Sequence, residues 1–346
     1  MSVTIRDVAK LAGVSPSTVS RTCNDHPSIS EETKAKVREA IAKTGYIVPA
    51  TSGKSRANNH RNNKIRHMGI ILPPTNTVNY ENTFHLRAIR GISRYCTAHD
   101  YSSTVIAGDS RHEILSIVQR MVEQKDVEGF IFLYSSTNDP VIRYLHDIGI
   151  TYVLIGKASD YANNTVYVDN DNLMAGQDAT DYLLALNHVN IGYIGYGSDF
   201  LFSYERQSGY QLAIMRRNIP FRPDYIVNND SFPLTEEGAV ARLLNSPDRP
   251  TGLVIADDSL AVAVMQLCFK LGLNIPNDIS IISFNNSLMS LLSSPQLTSI
   301  DVNSIQLGET AAALLVDHIE SNTTLATKTI VPHKLVERLS ATWCDR

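Results

Sequence analysis

From Met68 onward, short apolar runs alternate with longer amphipathic stretches, and this rhythm restricts what most of the chain can fold into. Apolar runs at 68–72, 103–107, 129–133, 152–155, 191–195, 252–256 and 279–284 have strand length and abound in Ile, Val and Phe. Between them, 83–98, 111–124, 172–186, 203–217, 259–271 and 304–320 carry apolar residues at helical spacing. Buried strands separated by helices of ten or more residues predict parallel sheets covered on both faces. The units are too many for one small sheet, so two doubly wound lobes are expected. Ligands of such sheets lie at the carboxyl ends of the strands, and between lobes where there are two.

The first 46 residues follow a different rule. Thr4 can cap a helix whose apolar positions Ile5, Val8, Ala9 and Ala12 share one face. Gly13 supplies the permissive backbone of a tight turn, with Val14 placed to tuck behind it. Ser15 caps a second helix, and Pro16 stands at its first position, where a missing N–H costs nothing. This helix has Val19 for the core and turns Ser17, Thr18, Ser20 and Arg21 toward solvent. A third helix begins after Ser30, runs through Val37, Ala40 and Ile41, and stops at Gly45. Two helices joined by a short glycine turn, the second sized for a major groove, predict a helix-turn-helix. An ordinary helical hairpin is the alternative, but hydroxyls ending in an arginine suit phosphates and base edges better than a Glu/Lys-rich solvated face would.

Charge separates the two regions. Residues 1–66 hold twelve Lys/Arg against five Asp/Glu, whereas the remaining 280 hold 19 against 30, so a net charge of −4 hides a basic head on an acidic body. That division suits a protein of which one end meets a polyanion. Residues 47–66 contain no acid and almost nothing apolar after Val48, and read as a basic linker. Its Lys54 and Arg56 either contact DNA or merely decorate a tether.

Other classes find little support. No apolar run approaches membrane-spanning length and no signal-peptide core opens the chain, so a cytoplasmic protein is expected, without a membrane partner. Cys23, Cys96, Cys268 and Cys344 are far apart, which supports neither a disulfide framework nor a metal site. No phosphate-binding glycine loop or nucleophile elbow is present, and the paired acids Asp169/Asp171 and Asp257/Asp258 are ordinary loop and cap residues. Neither enzymatic activity nor a cofactor is expected.

Head, basic linker and two-lobed body together resemble the lactose-repressor (LacI/GalR) family of bacterial transcription regulators. The resemblance is carried by Val3-Thr4-Ile5-Arg6-Asp7-Val8-Ala9, Ala12-Gly13-Val14-Ser15 and Thr18-Val19-Ser20-Arg21 in the head. In the body it is carried by Val168-Asp169-Asn170, Ala175-Gly176, Arg206 with Gly209-Tyr210, Asp257-Asp258 and Pro276-Asp278-Ile279-Ser280. Phe284-Asn285-Asn286-Ser287 and Ile155-Gly156-Lys157 most resemble the family's maltose-responsive repressors. The resemblance implies a helix-turn-helix domain over 1–46, a hinge over 47–66, and a periplasmic-binding-protein-like core over 67–346. Within that core one lobe would comprise about 67–167 and 301–331, the other about 168–300 and 332–346.

It further implies a homodimer on near-palindromic operator DNA, controlled by a small sugar between the lobes. Thr4, Ser15, Pro16, Ser17, Thr18, Ser20, Arg21 and Asn24 would form the DNA contact set, with Pro16, Ser17 and Arg21 at base-reading positions. Arg206, Asp257 and Asn285 align with effector-contacting positions and supply a donor fork and two acceptors. Tyr80, Phe84, Tyr134, Tyr167 and Tyr204 would stack on sugar rings or pack in the core, and Lys157 ends a strand at the expected crevice. The usual hinge leucine is replaced by Arg56, and a glutamine frequent near the position of Val302 is absent. Arginine enters a narrow minor groove electrostatically but does not wedge a base step, so the recognition helix should carry more of the specificity. No tetramerising heptad pattern is read near Arg346, so a dimer rather than a tetramer is expected. A different sugar, a corepressor, or a sugar-binding protein without regulatory role are the alternative functions.

Overall fold

The computed structural model describes residues 4–23, 29–44, 46, 66–74, 83–197, 200–228, 234–321 and 325–345. Asn24, Lys54, Arg56 and Tyr80 lie outside the described residues. The chain separates into two compact units, Met1–Lys64 and Ile65–Arg346.

In the first unit α1 (Ile5–Ala12), α2 (Pro16–Cys23) and α3 (Glu31–Thr44) enclose a small core of Val8, Ala9, Val19, Val37 and Ala40. Asp7 closes the start of α1 by accepting from the Thr4 backbone N–H at 2.8 Å and its hydroxyl at 2.7 Å. Gly13 ends α1 at φ 68°, a left-handed conformation that glycine adopts without Cβ strain. The Ser15 and Ser30 hydroxyls accept from Thr18 N and Thr33 N, capping α2 and α3. Thr4, Ser15 and Ser30 stand at the helix starts and Gly13 at the turn, as the sequence predicts, while Gly45 lies outside the described residues.

Among the described residues the second unit contains two six-stranded sheets. The first is built from β1 (Arg66–Ile71), β2 (Tyr101–Ile106), β3 (Gly129–Phe132), β4 (Tyr152–Ile155), β5 (Val166–Asp169) and β11 (Lys328–Ile330), in the order β11-β5-β4-β3-β1-β2. The second takes β6 (Ile191–Gly195), β7 (Ile226–Asn228), β8 (Gly252–Ile255), β9 (Ser280–Phe284), β10 (Thr298–Asp301) and β12 (Lys334–Val336), in the order β12-β10-β9-β8-β6-β7. All pairings are parallel except β10 with β12. The helices are α4 (Thr83–Ala98), α5 (Arg111–Glu123), α6 (Pro140–Asp147), α7 (Asn172–Ala185), α8 (Leu201–Arg216), α9 (Ala239–Leu244), α10 (Asp258–Lys270), α11 (Leu288–Leu292) and α12 (Ser304–Ser321). The architecture is the α/β one expected from the sequence: a three-helix head and two parallel-dominated lobes.

Each lobe fastens one pair of helices by glycine-to-backbone contact. A Cβ on Gly91 of α4 would lie 2.1 Å from the Ile305 carbonyl oxygen of α12, and one on Gly308 would lie 2.1 Å from that of Ala88. In the other lobe, a Cβ on Gly176 of α7 would meet the Arg206 carbonyl oxygen at 2.2 Å, and one on Gly209 of α8 that of Leu173 at 2.1 Å. These approaches exclude any side chain larger than hydrogen, and the α7–α8 pair sets the position of the Arg206 backbone.

Candidate functional site

A cavity of about 400 Å³ opens between the lobes, where the carboxyl ends of both sheets meet. From the first lobe come Pro73 and Pro74 after β1, Phe84 and His85 in the first turn of α4, Leu133 to Ser136 after β3, and Ile155 to Lys157 at β4. Asp169, Asn170 and Asn172 line it where the chain passes between lobes. Gly197, Phe200, Leu201, Phe202, Arg206 and Asn285 close it from the second lobe. Parallel strands place their loops at this edge, so the cleft follows from the topology.

Arg206 is held there by rings and hydrogen bonds. It is 4% exposed, lies 5.0 Å above the Phe202 ring and 4.3 Å from the Phe284 ring centroid, and donates from Nε to Asn172 Oδ1 and from Nη1 to the Ala256 carbonyl. Burial lowers its pKa. Two flanking rings and two hydrogen bonds hold the guanidinium plane in one orientation, as recognition of a ligand by a planar fork requires.

Asp169 organises the adjoining wall. Its Oδ1 accepts from Asn170 N and Asn172 Nδ2, and its Oδ2 accepts from Lys157 N, so one carboxylate orients the residue that in turn holds Arg206. Burial pushes its pKa up to about 6, against these hydrogen bonds and the nearby arginine. Lys157 reaches across the cleft mouth to Glu205 of α8 at 2.6 Å. Tyr134 donates to the buried Asp139, which also caps α6 and lies 3.6 Å from Arg111. Asn285 and Asn286 follow β9 at φ 97° and 43°, strained values for residues bearing a Cβ. His85 makes no hydrogen bond among the described residues, packs edge-on to Phe84, and is pushed down to about 4 by burial. Its imidazole is therefore neutral near pH 7, free to donate or accept one hydrogen bond.

Of the effector residues named from the sequence, Phe84, Tyr134, Lys157, Arg206 and Asn285 line the cleft. Asp257, Tyr167 and Tyr204 do not. Asp257 is fully buried, capping α10 by accepting from Leu260 N, and stands near Arg206 with its pKa raised to about 6 by burial. Tyr167 packs in the core of the first lobe with Lys328 over its ring, and Tyr204 is 56% exposed. His85, Arg111, Asp169, Asn170 and Asn172 line the cleft without having been singled out for it. The polar run Asp169-Asn170-Asp171-Asn172 directly after an apolar strand was the available signal.

In the head, Thr4, Ser15, Pro16, Ser17, Ser20 and Arg21 are exposed, while Thr18 is half-buried and Val19 wholly so. The Ser15 hydroxyl lies 2.7 Å from that of Ser17 and 2.9 Å from that of Thr18, gathering three hydroxyls at the amino end of α2. Hydroxyls gathered at a helix start, with an exposed arginine one turn on, suit phosphate and base-edge contact. Among the described residues no helix is long and apolar enough to cross a membrane.

Known proteins share both parts. The model of bacterial regulatory proteins of the lacI family matches residues 4–48, and that of the periplasmic binding protein-like domain matches residues 180–341. The HTH-type transcriptional regulator MalR of Streptococcus pneumoniae serotype 4 is 30% identical over 98% of this chain and 100% of its own length. A putative transcriptional regulator LacI from Bacillus cereus subsp. cytotoxis superposes with a TM-score of 0.75 at 35% identity, over 81% of this chain and 100% of that one. The transcriptional regulator CelR in complex with cellobiose gives 0.72 at 25% identity, over 98% of this chain and 99% of that one. Relatives of this kind are regulators, not enzymes. With a helix-turn-helix head, a two-lobed body and identity sustained along nearly its whole length, this chain belongs to the lacI family of bacterial DNA-binding transcription regulators.

Proposed function

We propose that the protein is a cytoplasmic, homodimeric repressor whose operator affinity is set by maltose or a malto-oligosaccharide in the inter-lobe cleft. The observation that carries this reading is the cleft itself: a clamped Arg206 fork and asparagine groups among the flat faces of Phe84, Tyr134, Phe200 and Phe202. Polar groups that fix hydroxyls and aromatic faces that cover ring C–H surfaces are the needs of a sugar. A volume of about 400 Å³ lies within the usual range of about 300–1,000 Å³ for small-molecule sites. The 30% identity to MalR points to maltose, while the likeness to CelR with cellobiose makes a β-linked glucose disaccharide the second reading.

DNA contact is assigned to Thr4, Ser15, Pro16, Ser17, Thr18, Ser20 and Arg21, with Asn24, Lys54 and Arg56 added on the sequence alone. Dimerisation is supported by α11, which leaves Leu288, Leu291 and Leu292 open to solvent at helical spacing. Leu86, also exposed, neighbours Arg87, whose guanidinium reaches the Asn286 carbonyl just ahead of α11. Exposed leucines at helical spacing on one short helix suit a protein contact. Sugar favouring one lobe arrangement would change the dimer and so the fit of two heads to two half-sites. A gel shift of the protein's own promoter DNA, with maltose, maltotriose and cellobiose added in turn, tests the reading. Release by maltose supports it, release by cellobiose alone selects the second sugar, and indifference to all of them removes the effector claim.

A further inference from the structure

Among the described residues three short segments join the lobes: 169–172 between β5 and α7, 301–304 between β10 and α12, and 330–334 between β11 and β12. Any rotation of one lobe against the other must be absorbed in them. One side chain touches all three. Asn170 stands in the first, and its Nδ2 donates to the Val302 carbonyl in the second at 3.1 Å and to the Val331 carbonyl in the third at 2.8 Å. Val331 N donates back to the Asp169 carbonyl at 2.8 Å, and Asn303 Nδ2 to the Pro332 carbonyl at 2.5 Å.

Two carbonyl acceptors fix which end of the amide is nitrogen, because an oxygen could donate to neither. Both Nδ2 protons are thereby committed, and Asn170 Oδ1 makes no hydrogen bond among the described residues. The residue is only 5% exposed, yet it lines the cleft.

We propose that Asn170 is the coupling residue between cleft and hinge. Its amide nitrogen binds the three crossovers into one mechanical unit, and its amide oxygen is the acceptor offered to a ligand hydroxyl. A hydrogen bond accepted by Oδ1 polarises the amide and strengthens both bonds that Nδ2 donates, so occupancy and hinge stiffness form one equilibrium. The ligand half of this inference rests on the cleft being a sugar site; the mechanical half does not.

The test measures distances between spin labels at two exposed positions, one per lobe, in the full-length chain. Gln124→Cys on the first lobe and Lys270→Cys on the second carry the labels, Cys96, Cys268 and Cys344 being buried, and Cys23→Ser removes the fourth native thiol. Asn170→Ala removes both donors, Asn170→Asp replaces them with an acceptor of the same shape, and Asn170→Ser keeps one donor as a milder change. Without ligand, the inter-lobe distribution should widen roughly twofold in the Ala and Asp variants and less in Ser, because the crossovers then yield independently. A contact that merely stabilises the fold would lower Tm and leave that width unchanged. Wild-type widths in all folded variants would overturn the hinge role. Maltose should narrow the wild-type distribution and fail to narrow that of Asn170→Ala. Narrowing in both would overturn the coupling role, and a wild type indifferent to maltose and cellobiose would overturn the sugar half while the ligand-free widths still decide the hinge.

Discussion

Arg206 concentrates what a single residue contributes here. Its guanidinium is held by Asn172 Oδ1, the Ala256 carbonyl and two aromatic rings, so any role in ligand binding comes from a preset plane. Arg206→Lys keeps the charge but loses the fork and the stacking. Effector affinity should fall about 10- to 100-fold by calorimetry. Asp169 allows a pH prediction. Its folded pKa of about 6 exceeds the ordinary aspartate value of 3.8, so the native state binds more protons than the unfolded chain between those values. Wild-type stability from this group therefore falls as pH rises through that window. Asp169→Asn cannot ionise, and the variant-minus-wild-type difference in unfolding free energy should rise by about 2 kcal/mol between pH 4.5 and 7 in denaturant titrations. A flat or falling difference would mean that the carboxylate is better solvated than its burial indicates. Asp257 shows where residue-level reading of a sequence stops. A carboxylate at a strand end either enters the cleft or turns back to cap the next helix, and nothing in Ala256-Asp257-Asp258-Ser259 distinguishes the two. The structure turns it back, beneath Arg206.

At the level of elements, long apolar strands and long amphipathic helices were legible because their periodicity extends over many residues. Strands β1, β3, β4, β6, β8 and β9 fall where apolar runs are dense, and α4 spans 83–98 as expected. The edge strands β7, β11 and β12 have three residues each, and α9 and α11 five or six, too few for a period to show. Their positions come from pairing with neighbours that sequence pattern does not specify. The Gly176–Gly209 contact links element packing to the site. Gly176→Ala would press a methyl group against the Arg206 carbonyl and push α8 away from α7. Its cost should be about 1–3 kcal/mol in chemical denaturation. Effector affinity should fall with it, because the displaced backbone is that of Arg206 itself. Loss of stability with unchanged affinity would show that the cleft tolerates movement of α8.

Across the whole molecule, basic residues 1–66 set against an acidic remainder suit the first unit to nucleic acid, and the inter-lobe cavity lies in the second. The exposed leucines of α11 connect these tasks if two copies meet there. Leu291→Asp, at a position 47% exposed in the single chain, should leave the melting temperature within a few degrees. It should convert a dimer to a monomer in sedimentation and weaken operator binding by at least about tenfold, since each head then holds one half-site. A dimer that survives this change would move the interface elsewhere. Cleft and operator are then linked reciprocally, and fluorescence anisotropy of labelled promoter DNA with the full-length protein measures that link. Maltose titrated into that complex should raise the operator Kd by about tenfold or more, and operator DNA should weaken maltose binding by the same factor. Specific DNA binding that no maltose, malto-oligosaccharide or cellobiose alters would rule out that link.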